Sequence, residues 1–285
     1  MKFQQLNSEI FSPKGLSENK ALSRTTHLGI SAHQDDLEIM GIDGILHGFE
    51  NDNDWFTGVV VTDGRSSPRS GLYSELSDEM MMHTRYEEQR KAAIIGNYNA
   101  QIFLGYRSAE IKSVHNHSLQ TDLVNLLKAT KPRAVYTHNL ADKHPSHVAV
   151  VINVIEAIRL LPKEFQPDRI YGCEVWRDLD WIPDSQKIVF DCSSRPNLQQ
   201  ALIAIFDSQI SGGKRYDLAT MGRRMANATF YESHFIDKAT HIAFAMDLTP
   251  LIKDVSLGYS EYIGKFIRLF EQEVCETINL FIDNK

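Results

Sequence analysis

Two short stretches of this chain hold most of the residue types that do chemistry. Residues 29–38 read G-I-S-A-H-Q-D-D-L-E and place His33, Asp35 and Asp36 side by side. Residues 137–150 read T-H-N-L-A-D-K-H-P-S-H-V-A-V and supply Asp142, His144 and His147. Bare carboxylates beside apolar sequence are costly to desolvate unless a helix cap, a salt bridge or a metal ion compensates them. A catalytic zinc site takes three protein ligands, commonly histidine nitrogen and carboxylate oxygen, and keeps a fourth position for water. His33, Asp36 and His147 would supply such a set. Asp35, adjacent to a ligand but outside the set, would then take a proton from the activated water. His144 would donate to a developing oxyanion or protonate a leaving amine. Plainer roles compete: either aspartate can cap the next helix, and a His-x-x-His pair can be ordinary loop. The chemical reading gains from the coincidence of two clusters.

The elements that must position these residues alternate. Apolar, β-branched runs at His27–Ala32, Phe56–Thr62, Ala100–Leu104 and Ala134–Thr137 predict strands. Further strands are expected near Arg169–Trp176, Lys187–Asp191 and His241–Met246. Helical periodicity fills Met80–Ile95, Leu119–Ala129 and Val148–Leu160, then Asn197–Gln209, Tyr216–Phe230 and Tyr259–Ile282. Strands alternating with helices imply βαβ units: an α/β fold with a Rossmann-like, mostly parallel sheet and helices on both faces. One domain over residues 1–285 is expected, with the motifs in a core of about 26–160 and a helical C-terminal elaboration over about 161–285. Such sheets bind ligands outside the carboxyl ends of their strands, where both clusters fall. The Ser-, Pro- and Gly-containing stretch Arg65–Ser77 reads as a long loop at another strand end, a position that often shapes a site.

Composition narrows the class without naming a function. The 30 Lys+Arg against 37 Asp+Glu give a net charge of −7, which disfavours a nucleic-acid partner. No apolar run is long enough to span a membrane, and the N-terminus lacks a signal-peptide core. Cys173, Cys192 and Cys275 are odd in number and scattered, as expected of reduced thiols in a cytoplasmic protein. The first strand leads into A-H-Q-D-D rather than Gly-x-Gly-x-x-Gly, against a nicotinamide enzyme.

S-A-H-Q-D-D-L-E resembles the Ala-His-Pro-Asp-Asp-Glu motif of the PIG-L, or LmbE-like, family of zinc-dependent N-acetylglucosaminyl deacetylases. H-P-S-H-V-A resembles that family's His-Pro-Asp-His motif, and V-V-V-T-D-G, R-Y-E-E-Q-R-K-A-A and F-L-G-Y recur between them in the family's order. The resemblance runs from about Leu28 to Val151, with a faint echo at Asp207-Ser208-Gln209. It implies His33, Asp36 and His147 as ligands of Zn2+, with Fe2+ or Mn2+ as alternatives. It also implies Asp35 as general base, His144 as oxyanion stabiliser or proton donor, and Arg85 as a substrate-binding arginine. The competing role for Arg85 is an exposed i,i+3 pair with Glu88. Asp63 and Arg65, just past the second strand, are further candidates to line the crevice.

Three positions depart from the family pattern: Gln34 replaces proline, Leu37 interrupts the acidic run before Glu38, and Ser146 replaces the second motif's aspartate. A serine cannot stabilise an imidazolium by charge, so His144 would need another partner, with Asp142 the candidate. Phe206 stands where many relatives carry histidine. Trp176 and Trp181 are expected in the core rather than on a sugar. His83, His115, His117, His234 and His241 are expected to be structural or solvated, and G-G-K-R at 212–215 to be a turn. The sequence thus points to hydrolysis of an N-acetyl group from a small-molecule glucosamine-like sugar or conjugate. An amidase on another sugar- or thiol-conjugate amide, or a non-catalytic sugar-binding relative, are the alternatives, and a homo-oligomer is left open.

Overall fold

The computed structural model describes residues 1–113 and 116–282, so His115 lies outside the described residues. The first half runs β1 (Glu9–Phe11), α1 (Glu18–Ser23), β2 (His27–Ser31), α2 (Asp36–Met40), α3 (Ile42–Glu50), β3 (Phe56–Thr62), α4 (Asp78–Ile95) and β4 (Ala100–Tyr106). It continues through α5 (His117–Thr130), β5 (Ala134–His138) and α6 (Pro145–Arg159). The second half runs β6 (Arg169–Cys173), β7 (Ile188–Asp191), α7 (Pro196–Ala204), α8 (Asp207–Ile210), α9 (Tyr216–Phe230), β8 (Ile242–Asp247), α10 (Thr249–Lys253) and α11 (Tyr259–Ile282).

All eight strands form one sheet in the order β1-β4-β3-β2-β5-β6-β8-β7. The five central strands, β4 to β6 in that order, are parallel; β1 and β8 join antiparallel, and β7 pairs antiparallel with β8. The chain therefore builds outward from β2 through β3 and β4, then returns to lay β5 on the other side of β2. That reversal opens a crevice between the carboxyl ends of β2 and β5, the usual place for a ligand in such sheets. The C-terminal half is less purely helical than a helical elaboration implies, since β6, β7 and β8 extend the same sheet.

Strand residues alternate between two cores, as a period of two requires. Leu28, Ile30, Val59, Val61, Ile102 and Val135 pack on one face with α1, α5 and α6. Phe56, Val60, Phe103 and Tyr136 pack on the other with α2, α3, α4 and α7. On that second face Gly29 lets the α2 helix lie close: a Cβ there would come within 2.8 Å of both Leu37 and Phe56. The Leu37 side chain, fully buried, thereby anchors the turn that carries His33 to Asp36.

Two expected boundaries moved for local reasons. The helix expected over 197–209 breaks at Phe206 (φ −81°, ψ 54°) into α7 and α8. A helix restart leaves its first N–H groups without partners inside the helix, and the one on Ser208 reaches back to Glu88 of α4 at 2.7 Å. The α6 helix starts earlier than its apolar stripe, because Pro145 fits the first turn and His144 caps it.

Candidate active site at the switch point

Past the end of β2 the chain turns sharply. Asp35 has φ 84°, ψ −31°, a strained backbone for a residue with a Cβ, and it is the N-cap of α2. Three contacts hold the turn in place. The Asp35 N–H donates to Gln89 Oε1 (3.3 Å), Gln34 Nε2 donates to the Thr62 carbonyl (3.1 Å), and Arg85 donates to the Gln34 carbonyl. Gln34, at the place of the family proline, packs its amide against Gly64, whose φ of +72° and contact with Gln34 Oε1 leave no room for a Cβ. The turn held by these long-range contacts sends the Asp35 carboxylate to Arg85 and the Asp36 carboxylate to the histidines.

Asp36 is 2% exposed and forms the hub of a donor cluster. Its Oδ2 accepts from the His33 N–H (2.8 Å) and lies 3.3 Å from His33 Nδ1 and 3.3 Å from His147 Nε2. His33 Nδ1 and His147 Nε2 are 3.2 Å apart. The three atoms thus form a nearly equilateral triangle. Ligands held about 2.0–2.1 Å from a tetrahedral centre stand about 3.3 Å from one another. Donor types and spacing therefore both fit a divalent metal of the zinc class. Burial opposes ionisation of Asp36, but the surrounding histidines outweigh it and hold the carboxyl below its usual range. Behind the triangle, His147 Nδ1 faces Asp142 Oδ1 at 3.4 Å, the carboxylate–histidine arrangement that orients a metal ligand. Burial lowers the His147 ring's affinity for a proton, and Asp36 and Asp142 more than restore it.

Two further triplets, His33–His144–His147 and Asp36–His138–His147, also have ligand-like proximity. His138, the last residue of β5, is not among the residues that the sequence singles out. Its Nε2 is 3.5 Å from Asp36 but accepts the Ala32 N–H at 2.8 Å, so its lone pair is already used. Burial, and then the neighbouring His147, hold this ring neutral. It stacks on His147 at 3.9 Å between centroids, and backs the triangle rather than entering it. Its one signal in the sequence is its place at a strand's carboxyl end.

Asp35 faces the other way, into a cavity of about 630 Å³ also lined by His33, Asp36, Arg85 and His144. Its Oδ2 accepts from Arg85 Nη2 at 2.8 Å. Burial raises the Asp35 carboxyl, Arg85 pulls it back, Asp36 pushes it up again, and the balance lies at about 7. Arg85 is 1% exposed, so its pair with Glu88 (3.2 Å) is not the exposed helix-face pair considered from sequence. Glu88 in turn accepts from both the backbone N–H and the hydroxyl of Ser208 (2.7 and 2.8 Å). A buried chain Ser208–Glu88–Arg85–Asp35 thus ties α8 to the candidate base.

His144 lies across the cavity from Asp35's helix, its ring 4.9 Å from that of His33. Its Nδ1 accepts the Ser146 N–H (3.3 Å), which leaves Nε2 as the protonated nitrogen. Burial, then His33 and His147, lower its pKa to about 4. Asp142 does not partner this ring: it accepts the His144 backbone N–H and the Trp176 N–H, and turns its charge to His147. Ser146 is fully buried and its Oγ has no hydrogen-bond partner among the described residues. Asp63 and Arg65 pair with each other, and the cavity wall there is made by Gly64, Ser66, Ser67 and Pro68 instead. Trp176 is a wall residue rather than a core one, with Lys214 4.9 Å above its ring and Tyr216 beside it. The G-G-K-R turn supplies that lysine. Trp176 stands just past β6 on the cavity wall, against the core placement expected from sequence, and Lys214 comes to the same wall from the turn before α9.

Glu38, third acid of the opening motif, faces inward from α2. Tyr98 Oη (2.7 Å) and Gln89 Nε2 (2.8 Å) both donate to Oε1, and Oε2 has no partner among the described residues. Burial raises this carboxyl from its ordinary 4.5 to about 8. A raised acid makes the folded state bind protons more tightly than the unfolded one. Its contribution is therefore complete below about pH 4.5 and is lost as pH rises toward 8. Glu38→Gln is expected to flatten the fall in Tm of the metal-free protein between those pH values. A variant whose Tm falls as steeply as the parent's would show that Glu38 is ionised.

Fold and site together define an α/β protein with a mostly parallel sheet and a metal-type donor cluster at its switch point. Residues 28–158 match the family model described as PIG-L: GlcNAc-PI de-N-acetylase, so the chain carries a PIG-L region across its motif-bearing half. No curated protein matches the sequence significantly. Among solved structures, a conserved protein of Thermus thermophilus aligns with a TM-score of 0.63 at 16% identity, covering 79% of this chain and 94% of its own. The N,N'-diacetylchitobiose deacetylase of Pyrococcus horikoshii gives 0.63 at 17%, covering 85% and 91%. The 4-carboxy-2-hydroxymuconate hydratase of Pseudomonas putida gives 0.61 at 17%, covering 79% and 96%. At these identities the likeness concerns the fold.

Proposed function

We propose that this chain is a divalent-metal-dependent hydrolase that removes an N-acetyl group from a glucosamine-like sugar or conjugate. The observation that carries the reading is the donor triangle of His33, Asp36 and His147 with Asp35 beside it on the cavity wall. The PIG-L match and a deacetylase on the same fold support the N-acetyl assignment. The hydratase neighbour shows that the scaffold alone does not choose the reaction. A cation held by the triangle, Zn2+ or else Fe2+ or Mn2+, would supply Lewis acidity toward water and toward the substrate carbonyl.

The chain's own residues do the rest. Asp35, with a proton affinity near neutrality, takes the proton of the attacking water and returns it to the departing amine. His144, neutral and protonated on Nε2, donates a hydrogen bond to the oxygen that gains negative charge. Of its two roles expected from sequence, this favours oxyanion stabilisation over proton donation. Arg85 holds Asp35 in place and limits how far burial raises it. Trp176 offers an apolar face to a sugar ring. Three free cysteines accord with a reducing, cytoplasmic setting, and among the described residues no helix is long and apolar enough to cross a membrane.

Metal-loaded protein assayed for amine release over a panel of N-acetylglucosamine derivatives tests the reading. Hydration of an unsaturated carboxylate without amine release from any member of the panel would replace it. Arg85→Met separates positioning from substrate binding. Loss of the cation disfavours the Asp35 carboxylate, so the acid limb of kcat/KM should move to higher pH, with activity recovering in base. A loss of equal size at every pH, carried by KM, would assign Arg85 to the substrate instead.

A further inference from the structure

We infer that α11 is a dimerisation element that pairs antiparallel with α11 of a second copy of this chain. Its first turns are anchored to the body: Tyr262 and Phe266 are its buried residues, and Tyr262 Oη donates to the Asp247 carbonyl. Every described residue from Phe270 to Ile282 is exposed, so about 20 Å of helix extends free of the sheet. Helices this long are marginal in water without tertiary packing. Yet Ile263, Ile267, Phe270, Val274, Ile278 and Phe281 recur at steps of three and four and form one stripe. Four of them, Ile267, Phe270, Val274 and Ile278, are 41–51% exposed, and Phe281 is 78% exposed.

The sequence of the helix selects its own partner. A twofold axis between Phe270 and Glu271 sets Ile267 against Val274 of the partner subunit, and brings Ile278 of the partner subunit beside Ile263, which is half-buried against its own core. The same stripe then serves both copies, as an isologous interface requires. Charge agrees with that direction. The first half of the helix carries Glu261, Lys265 and Arg268, net positive, and the second Glu271, Glu273 and Glu276. Antiparallel pairing runs the basic half beside the acidic half and opposes the two helix dipoles, whereas parallel pairing stacks like on like. An anionic membrane is a poorer occupant, because surface-seeking helices carry Lys and Arg on their polar face. The free half of α11 carries three glutamates and no basic residue among those described.

Light scattering after size exclusion should give about 65 kDa, twice the 32.4 kDa of one chain. Ile267→Glu, Val274→Glu and Ile278→Glu together should weaken association at least about a hundredfold with an unchanged circular-dichroism spectrum. Direction is read by cross-linking, with Cys275→Ser as background. Ile267→Cys combined with Val274→Cys should yield a disulfide-linked dimer under mild oxidation, while Val274→Cys alone should not. Within one helix those positions are about 10 Å apart, too far to bridge. Efficient cross-linking by Val274→Cys alone would overturn the antiparallel register. A wild-type mass of one chain at every concentration, or a triple variant that stays dimeric, would overturn the pairing. A monomer that sediments with anionic phospholipid vesicles would assign the stripe to a membrane and overturn it equally.

Discussion

Asp35→Asn is expected to lower turnover by about 10²–10⁴ with the metal content per chain unchanged, the usual range for loss of a general base. The substitution is close to isosteric, and asparagine tolerates the left-handed backbone better than most residues. Its amide oxygen can still accept from Arg85, whose charge keeps Glu88 as a partner at 3.2 Å. What disappears is the capacity to bind and release a proton at a buried site whose carboxyl lies at about 7. Single-turnover amine release, with metal measured on the same sample, checks it. Full activity in a metal-replete Asn variant would remove Asp35 from the proposed chemistry.

Asp36→Ala is expected to have the larger effect: metal content near zero and activity at background. This carboxylate oxygen is the only ligand-type atom within 3.5 Å of all of His33, His138 and His147 among the described residues. Without it the triangle loses its anionic vertex, and His33 and His138 lose the carboxylate beside them, while Asp142 still faces the far side of His147. The effect can be read without turnover. A ligand that binds only the folded state stabilises it by about 4 kcal/mol when present at a thousand times its Kd. A chelator should therefore lower the Tm of the wild type and leave that of Asp36→Ala unmoved. His147 should also become easier to deprotonate, since Asp36 is the leading charge that raises its pKa. A variant that keeps stoichiometric metal would assign the ligand role to other atoms.

The α11 pairing stands apart from both results. No α11 residue lines the cavity, so a monomeric variant should retain whatever the metal site does.

Much of the frame was legible because local rules decide it. Apolar, β-branched runs marked the seven expected strands, and helical periodicity marked Tyr216–Phe230 and Tyr259–Ile282 with their observed ends. The edge strand β1 escaped because three half-buried residues carry too little pattern. The short helices α1, α2, α3 and α10 also went unread, α2 being a single turn and a half masked by its polar motif. His33, Asp35 and Asp36 were legible as a chemical group because ligand types crowd into four positions at a strand end. So was the expectation that His144 and His147, at a second strand end, would face them across one crevice; the distances between the atoms were not.

What the sequence by itself determined was the set of donor types and the strand ends that carry them. Only the tertiary structure decided which atoms converge. The return of the chain to the far side of β2 closes the His33–Asp36–His147 triangle, commits Asp142 to His147 and leaves Ser146 Oγ without a hydrogen-bond partner among the described residues. It also buries Arg85 between Asp35 and Glu88, ties Ser208 to Glu88, and brings Trp176 from beyond residue 160 to the same crevice. The physical reason is range. Periodicity and capping act over a few residues, whereas desolvation and charge act between whatever side chains the sheet order makes neighbours.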